Sequence, residues 1–416
     1  MIKIASGYRN INIESPLHFA GQGVNSSCSK TSIQTGQLEV NGLLLELEKT
    51  KILVISVDTL FIGNRLRTEL ESHFKDRLNP AEIFIAASHT HSAPMLDFDK
   101  PKLGIPDIDY YNYVLKNIIE LCEYLVSTNL KSTAFFKNVN YNSAIGISRR
   151  KYRVIGEGRK SIFGINQIFN LANEKSRIYQ PARLIQICNE RGESTFIWNQ
   201  ACHPVSIPDT FGHSPGYIGD GRQLLRENFG YTTPVIFLQG FSGEIRPNST
   251  KKIKNFSGLI KRILFGKQFT NFQKNDYISW ISKLKNEMIE QINLLNSVKF
   301  FNIYDLTLDR ETKKLSKFKI ESNLSDRNLS KHTLNFGPFK IIGFSGEVLS
   351  KIAASFAKMH SGTVIPVGCI DDTFGYLPDV NSIRFGGYEV NGFWQYFSIE
   401  KIPKKSFHDL IRWICQ

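Results

Sequence analysis

Four short apolar runs in this chain break off into polar, turn-forming motifs, and that recurrence constrains the fold more than any other feature. Glu82-Ile83-Phe84-Ile85-Ala86 leads into Ala87-Ser88-His89-Thr90-His91-Ser92-Ala93-Pro94. The run from Ser194 to Gln200 leads into Ala201-Cys202-His203-Pro204-Val205-Ser206. Pro234 to Leu238 leads into Gln239-Gly240-Phe241-Ser242-Gly243-Glu244, and Lys340 to Phe344 into Ser345-Gly346-Glu347. Runs this short and this apolar read as buried strands. Residues 51–58, 182–188 and 363–367 read the same way.

Helical spacing fills the intervals. Leu66, Leu70 and Phe74 form one stripe of a helix over 64–78. Tyr111, Leu115, Ile118, Cys122 and Leu125 form another, capped by Asp107 or Asp109. A longer helix is expected over about 277–295, and Glu347 is expected to open one running to about 358. Strands alternating with helices predict an α/β fold, with a mixed β-sheet core flanked by helices. Residues 1–30 read as an extended opening segment, and 131–175 as a polar, basic connection. No internal repeat and no low-complexity linker interrupts the chain, so one domain over 1–416 is expected.

Composition removes several function classes. Hydrophobic residues make up 41% and charged residues 22%, which is globular rather than disordered. The six cysteines are scattered with no C-x-x-C pair, so buried free thiols are expected rather than a disulfide framework. No apolar run reaches the roughly eighteen residues of a membrane span. The N-terminus lacks the apolar core of a signal peptide, so a cytoplasmic location is expected. The net charge of +14 favours an acidic partner, but no nucleic-acid-binding motif accompanies it. A lysine-rich soluble surface accounts for the charge equally well. Within an insertion at about 250–300, basic residues of 251–267 alternate with Phe256, Leu259, Ile260, Ile263, Leu264 and Phe265. That pattern suits peripheral contact with an anionic membrane, at the inner face, or a helix whose apolar side packs on the core.

The strand ends carry the chemistry. Open α/β sheets bind ligands beyond the carboxyl ends of their strands, so His89, His91, His203, Glu244 and Glu347 are expected at one crevice. Imidazoles plus a carboxylate are the usual ligands of a hydrolytic zinc site. A histidine next to proline is also a common turn residue, and motif chemistry alone leaves both readings open.

In sequence order, Ser88-His89-Thr90-His91-Ser92, Cys202-His203-Pro204-Val205-Ser206, Gly219-Asp220, Gln239-Gly240-x-x-Gly243-Glu244-x-x-Pro247-Asn248 and Gly346-Glu347 resemble the catalytic domain of neutral/alkaline ceramidases. The resemblance implies Zn²⁺ held by His89, His203, Glu347 and Tyr376. Tyr388 lies twelve residues after Tyr376, matching the family's second active-site tyrosine. It also implies an active-site arginine at Arg149, with Arg150 as its rival. Tyr388 and Arg149 would orient the substrate or stabilise an oxyanion, and Tyr376 could donate a hydrogen bond there instead of ligating. His91 would be a general acid or would support a ligand, and Asp220 would orient a ligand histidine.

Two departures accompany the likeness. Arg246 stands where the family carries an essential serine, and no immunoglobulin-like C-terminal domain is expected. Arg246 would bind an acidic substrate group, or pair with Glu244 or Asp220. These features lead to a zinc-dependent amidohydrolase that cleaves an N-acyl bond. The leading expectation is an N-deacetylase for an acetamido sugar of a surface polysaccharide or lipid-linked glycan. A ceramidase or related lipid amidase and a non-catalytic zinc-containing binding module are the alternatives.

Overall fold

The computed structural model describes residues 1–21, 31–78, 82–127, 132–150, 181–208, 211–250, 253, 255–256, 258–260, 269–320, 327–360 and 362–416. Its strands are β1 (Lys3–Asn10), β2 (Glu39–Leu47), β3 (Thr50–Val57), β4 (Ile83–Ala87), β5 (Ser132–Tyr141), β6 (Gly146–Ser148), β7 (Ala182–Asn189), β8 (Ser194–Gln200), β9 (Val235–Gln239), β10 (Ile245–Pro247), β11 (Leu306–Lys314), β12 (Asn328–Phe336), β13 (Phe339–Phe344), β14 (Glu347–Val348), β15 (Thr363–Val367) and β16 (Tyr376–Leu377). Eight of them form one sheet in the order β4-β3-β2-β1-β5-β7-β8-β9, and β11-β12-β13-β15 form a second. Helices flank these sheets, so the mixed α/β architecture expected from the sequence is the one observed.

The large sheet repeats itself. In its first half β1 pairs antiparallel with β2 and β2 with β3, while β3 pairs parallel with β4 through the helix Asn64–Phe74. In its second half β5, β7, β8 and β9 pair in the same senses, with the helix Tyr217–Phe229 as the crossover. A long helix follows each half, Ile108–Ser127 after β4 and Lys274–Ser297 after β9. The halves join where β1 meets β5, antiparallel. No sequence repeat announces this topological one, because what recurs is strand direction and connection.

Side-chain alternation explains the layers. On β2, Val40 and Leu44 enter the core beneath the helix Ile108–Ser127, while Leu43 and Leu45 enter the core between the two sheets. On β8, Phe196 and Trp198 pack beneath the helices of the second half, and Ile197 faces the smaller sheet. Helix and sheet approach closely at Gly42, where an added Cβ would sit 2.8 Å from Leu125.

The two halves are pinned together across the sheet. Ser56 Oγ on β3 donates to Phe237 O on β9 at 2.6 Å, and Val235 N donates to Asn41 Oδ1 at 3.1 Å. Buried Arg222, from the second half's crossover helix, bonds both oxygens of Asp58 at 2.5 and 3.1 Å. Arg226, one turn on, bonds both oxygens of Glu39 at 2.6 and 2.9 Å.

Three expectations change. The opening segment contains a full strand, β1, and the polar stretch after 131 begins with β5 and β6. Glu347 does not open a helix: it lies in β14, and the helix begins at Lys351. All six basic positions of 251–267 lie outside the described residues, as do Ile263, Leu264 and Phe265, whereas Phe256, Leu259 and Ile260 are exposed. No helix among the described residues is long and apolar enough to cross a membrane.

Candidate metal centre

His89 and His203 come from opposite halves of the sheet and meet with their Nε2 atoms 3.0 Å apart. Each ring is fixed through its other nitrogen. His89 Nδ1 bonds Leu60 O at 3.0 Å and His203 Nδ1 bonds Ser242 O at 2.9 Å. A carbonyl accepts only from an N–H, so both rings carry their proton on Nδ1 and turn Nε2 inward. This is how metal-binding histidines are usually oriented. His89 also has a left-handed backbone, φ 64°. Strand alternation therefore does not place His89 and His91 on one side; the turn after β4 does.

Glu347 completes the convergence. Its Oε2 lies 3.4 Å from both His89 Nε2 and His203 Nε2, and it is buried with no hydrogen-bond partner. An unsatisfied buried carboxylate oxygen is costly. Ligands at the usual zinc bond lengths sit about 3.3–3.4 Å apart on a tetrahedron. The donor types, the orphaned oxygen and the two 3.4 Å separations fit a metal ion, while the two imidazole nitrogens, 3.0 Å apart, lie closer than that edge.

His91 lies closer than a supporting residue needs to be. Its ligand nitrogen and those of His89 and His203 all lie within 4.8 Å of one another, so the three could hold an ion between them. His91 Nδ1 bonds Gly21 O at 3.3 Å, and His91 Nε2 is buried without a partner. Gly21 has φ +76°, and a Cβ there would come 2.3 Å from His91 Nδ1. Sequence reasoning missed Gly21, Leu60 and Ser242, since a backbone carbonyl leaves no sequence signal.

Electrostatics agree with this arrangement. Burial, then the neighbouring His89, push the pKa of His91 and of His203 well below the ordinary imidazole value. Neutral imidazoles are the ligating form. Burial also opposes a charge on His89, but Cys369 and Glu347 outweigh it and raise His89 well above the ordinary value. Cys369, beside His89 at a left-handed φ of 57°, had no role assigned from sequence.

Glu347 and Tyr376 are direct partners in the parallel β14–β16 ladder. Arg149 Nη2 donates to Tyr376 Oη at 3.2 Å and to Gly243 O at 2.9 Å, and its guanidinium lies 5.3 Å from the Tyr388 ring centroid. Arg149 Nε binds one oxygen of buried Glu389 at 2.7 Å, and Arg150 binds the other at 2.5 Å. Arg150 turns to Gly386 O, so Arg149 is the arginine that reaches Tyr376. Burial drives the Tyr376 and Tyr388 phenols upward, keeping both protonated.

Two sequence assignments move. Asp220 accepts from Tyr277 Oη at 3.1 Å and lies 3.9 Å from Lys285, so it orients no ligand histidine. Glu244 is buried and accepts from Ser350 N and Oγ, while Arg246 Nη2 donates to Ser206 Oγ at 3.0 Å.

The chain aligns over 99% of its length with a ceramidase complexed with C2, at a TM-score of 0.70 and 10% identity, covering 74% of that chain. The chain has the neutral ceramidase fold. The neutral ceramidase from Pseudomonas aeruginosa matches equally, at 0.69 and 11% identity, over 99% of this chain and 73% of that one. No family model and no curated protein matches the sequence. The neutral ceramidase fold thus persists here at an identity too low to carry function by itself.

Proposed function

We propose that this protein is a metal-dependent amidohydrolase that hydrolyses an N-acyl bond. The observation that carries the reading is the convergence of His89 Nε2, His203 Nε2 and the unsatisfied Glu347 Oε2. We assign these three residues, with Tyr376 completing the set, to hold the ion. A bound zinc-like ion supplies Lewis-acid polarisation of the acyl carbonyl and makes the attacking water more acidic.

The chain's own groups do the rest. His91, neutral and fixed by Gly21, takes the proton of the attacking water and passes it to the departing nitrogen as the C–N bond breaks. Arg149 and Tyr388 line the side where the acyl oxygen gathers negative charge, and Arg149 is held there by Glu389. Products are a carboxylic acid and an amine.

For the substrate, we propose an acetamido sugar of a polysaccharide or lipid-linked glycan. The basic sequence and the arginines beside the site support a polar, acidic substrate. The fold supports a second reading, a ceramide-like lipid amide.

The test is elemental analysis of the purified chain together with turnover of N-acetylated sugars and of N-acylsphingosine. About one ion per chain is expected, with turnover lost in His89→Ala and Glu347→Ala. Full turnover without bound metal overturns the reading. In His91→Ala we expect retained metal and lost turnover; loss of the metal would make His91 a ligand instead.

A further inference from the structure

An exposed apolar patch lies on an excursion of the chain that leaves and re-enters beside the candidate metal centre. Thr250 and Phe269 form an antiparallel bridge, and Thr270 N donates to Ser249 O at 3.0 Å. These ends are anchored on the loops of the site. Phe272 N donates to Ser206 O at 3.0 Å, three residues past His203, and the Phe269 ring centroid lies 5.1 Å from the Arg246 guanidinium. Residues 251–268 therefore start and finish at one place, and Phe256, six residues past Thr250, stays within about 20 Å of it.

Local structure gathers the apolar side chains. Asn255 Oδ1 accepts from Gly258 N at 2.8 Å, and Leu259 N donates to Asn255 O at 3.1 Å. Asn255 thus caps a helical turn. Residues three and four apart are neighbours on such a turn, which is the spacing of Phe256, Leu259 and Ile260. All three are exposed, Phe256 at 75%, so they do not pack on the core. With exposed Ile253 they place four large apolar side chains within eight residues; no other eight-residue window among the described residues holds more than two. Large apolar residues exposed singly are ordinary, whereas a group of them marks an interaction site.

Charge selects the partner. Lys251, Lys252, Lys254, Lys261, Arg262 and Lys267 belong to the same stretch, and no acidic residue occurs from Ile245 to Asn275. Consecutive Cα atoms are about 3.8 Å apart, so Lys254 and Lys261 stay close to the apolar group. Apolar side chains for the acyl boundary and basic ones for anionic headgroups are the two components of interfacial membrane binding. A second copy of this chain, with its net charge of +14, would oppose this stretch rather than complement it.

We propose that Ile253, Phe256, Leu259 and Ile260, with the basic residues around them, dock the protein on an anionic lipid surface. Docking goes beyond the amidohydrolase reading and does not depend on it: it concerns where the centre works, not what it cleaves.

Sedimentation of the full chain with lipid vesicles tests the proposal. Vesicles of phosphatidylglycerol mixed with phosphatidylcholine are expected to bind about tenfold or more tighter than phosphatidylcholine alone, less so as salt is raised. The triple variant Phe256→Ser/Leu259→Ser/Ile260→Ser is expected to bind the mixed vesicles about tenfold or more weaker than the wild type. Tyr304→Ser, which removes an exposed ring elsewhere, is expected to bind as the wild type does. No binding to either vesicle, equal binding to both, or unchanged binding in the triple variant overturns the proposal. So does a wild-type dimer that the triple variant dissociates, which would give the patch to a second copy.

Discussion

The two halves of the large sheet use one scaffold with the roles exchanged. In the first half, the loop after β3 supplies a carbonyl, Leu60 O, and the loop after β4 supplies the imidazole, His89. In the second, the loop after β8 supplies the imidazole, His203, and the loop after β9 supplies the carbonyl, Ser242 O. Each parallel edge pair thus contributes one candidate ligand and the acceptor that orients it. The topology decides where groups converge; the residue types decide which loop does which task. The first half adds His91, while β10, which follows the second half's carbonyl, adds Arg246.

The comparison can be broken first at the interlock. Arg222→Met leaves Asp58 buried without its main partner and should cost about 3–5 kcal/mol of stability by denaturant unfolding. Because Asp58 precedes the Leu60 loop, metal affinity should fall with it. Unchanged unfolding would mean that the halves hold together without this ion pair.

Next come the ligands. Loss of one from a four-ligand site should cost about 2.5–4 kcal/mol of metal binding, taking total affinities of about 10–16 kcal/mol as shared among them. His89→Ala and His203→Ala should do equal damage in a metal competition assay. A large inequality would show that the halves do not share the ion evenly.

A smaller effect is expected at the element peculiar to the first half. Gly21→Ala should displace His91 and reduce turnover by about 10–100-fold, as losing the group that orients an active-site residue typically does. Its metal content should stay near the wild-type level, and a turnover unchanged from wild type would remove His91 from the reaction. Least of all, Asp220→Asn should change stability by no more than about 1 kcal/mol and leave metal affinity alone, since it touches Tyr277 and Lys285 rather than the site. A drop in metal affinity there would restore its link to the ligands.

Much of this was legible in the sequence, for a physical reason. Buried strands that end in a turn leave contiguous apolar letters followed by polar ones, so β3, β4, β8, β9 and β13 stood out, and with them His89, His203 and Glu347. β1 and β5 did not, because polar residues interrupt their apolar ones, as in Ser132-Thr133-Ala134-Phe135-Phe136-Lys137. Glu347 was read as a helix start because the helix at Lys351 is close behind it; a two-residue strand has too few residues to show a period. The misplacement of Asp220 has another cause. Gly219-Asp220 lies near His203 along the chain, but its helix turns the carboxylate toward Tyr277.

The distribution of ligands along the chain also sets a timetable. His89 and His203 are 114 residues apart, and Glu347 follows after a further third of the chain. At about 5–20 residues per second of synthesis, the first imidazole waits on the order of tens of seconds for its carboxylate. A ribosome-bound chain holding both sheet halves but ending before β14 has its two histidines and no acid to join them. On the proposed reading, loading of an ion would therefore be among the last events in making this protein, and would test whether both halves and the smaller sheet have arrived in place.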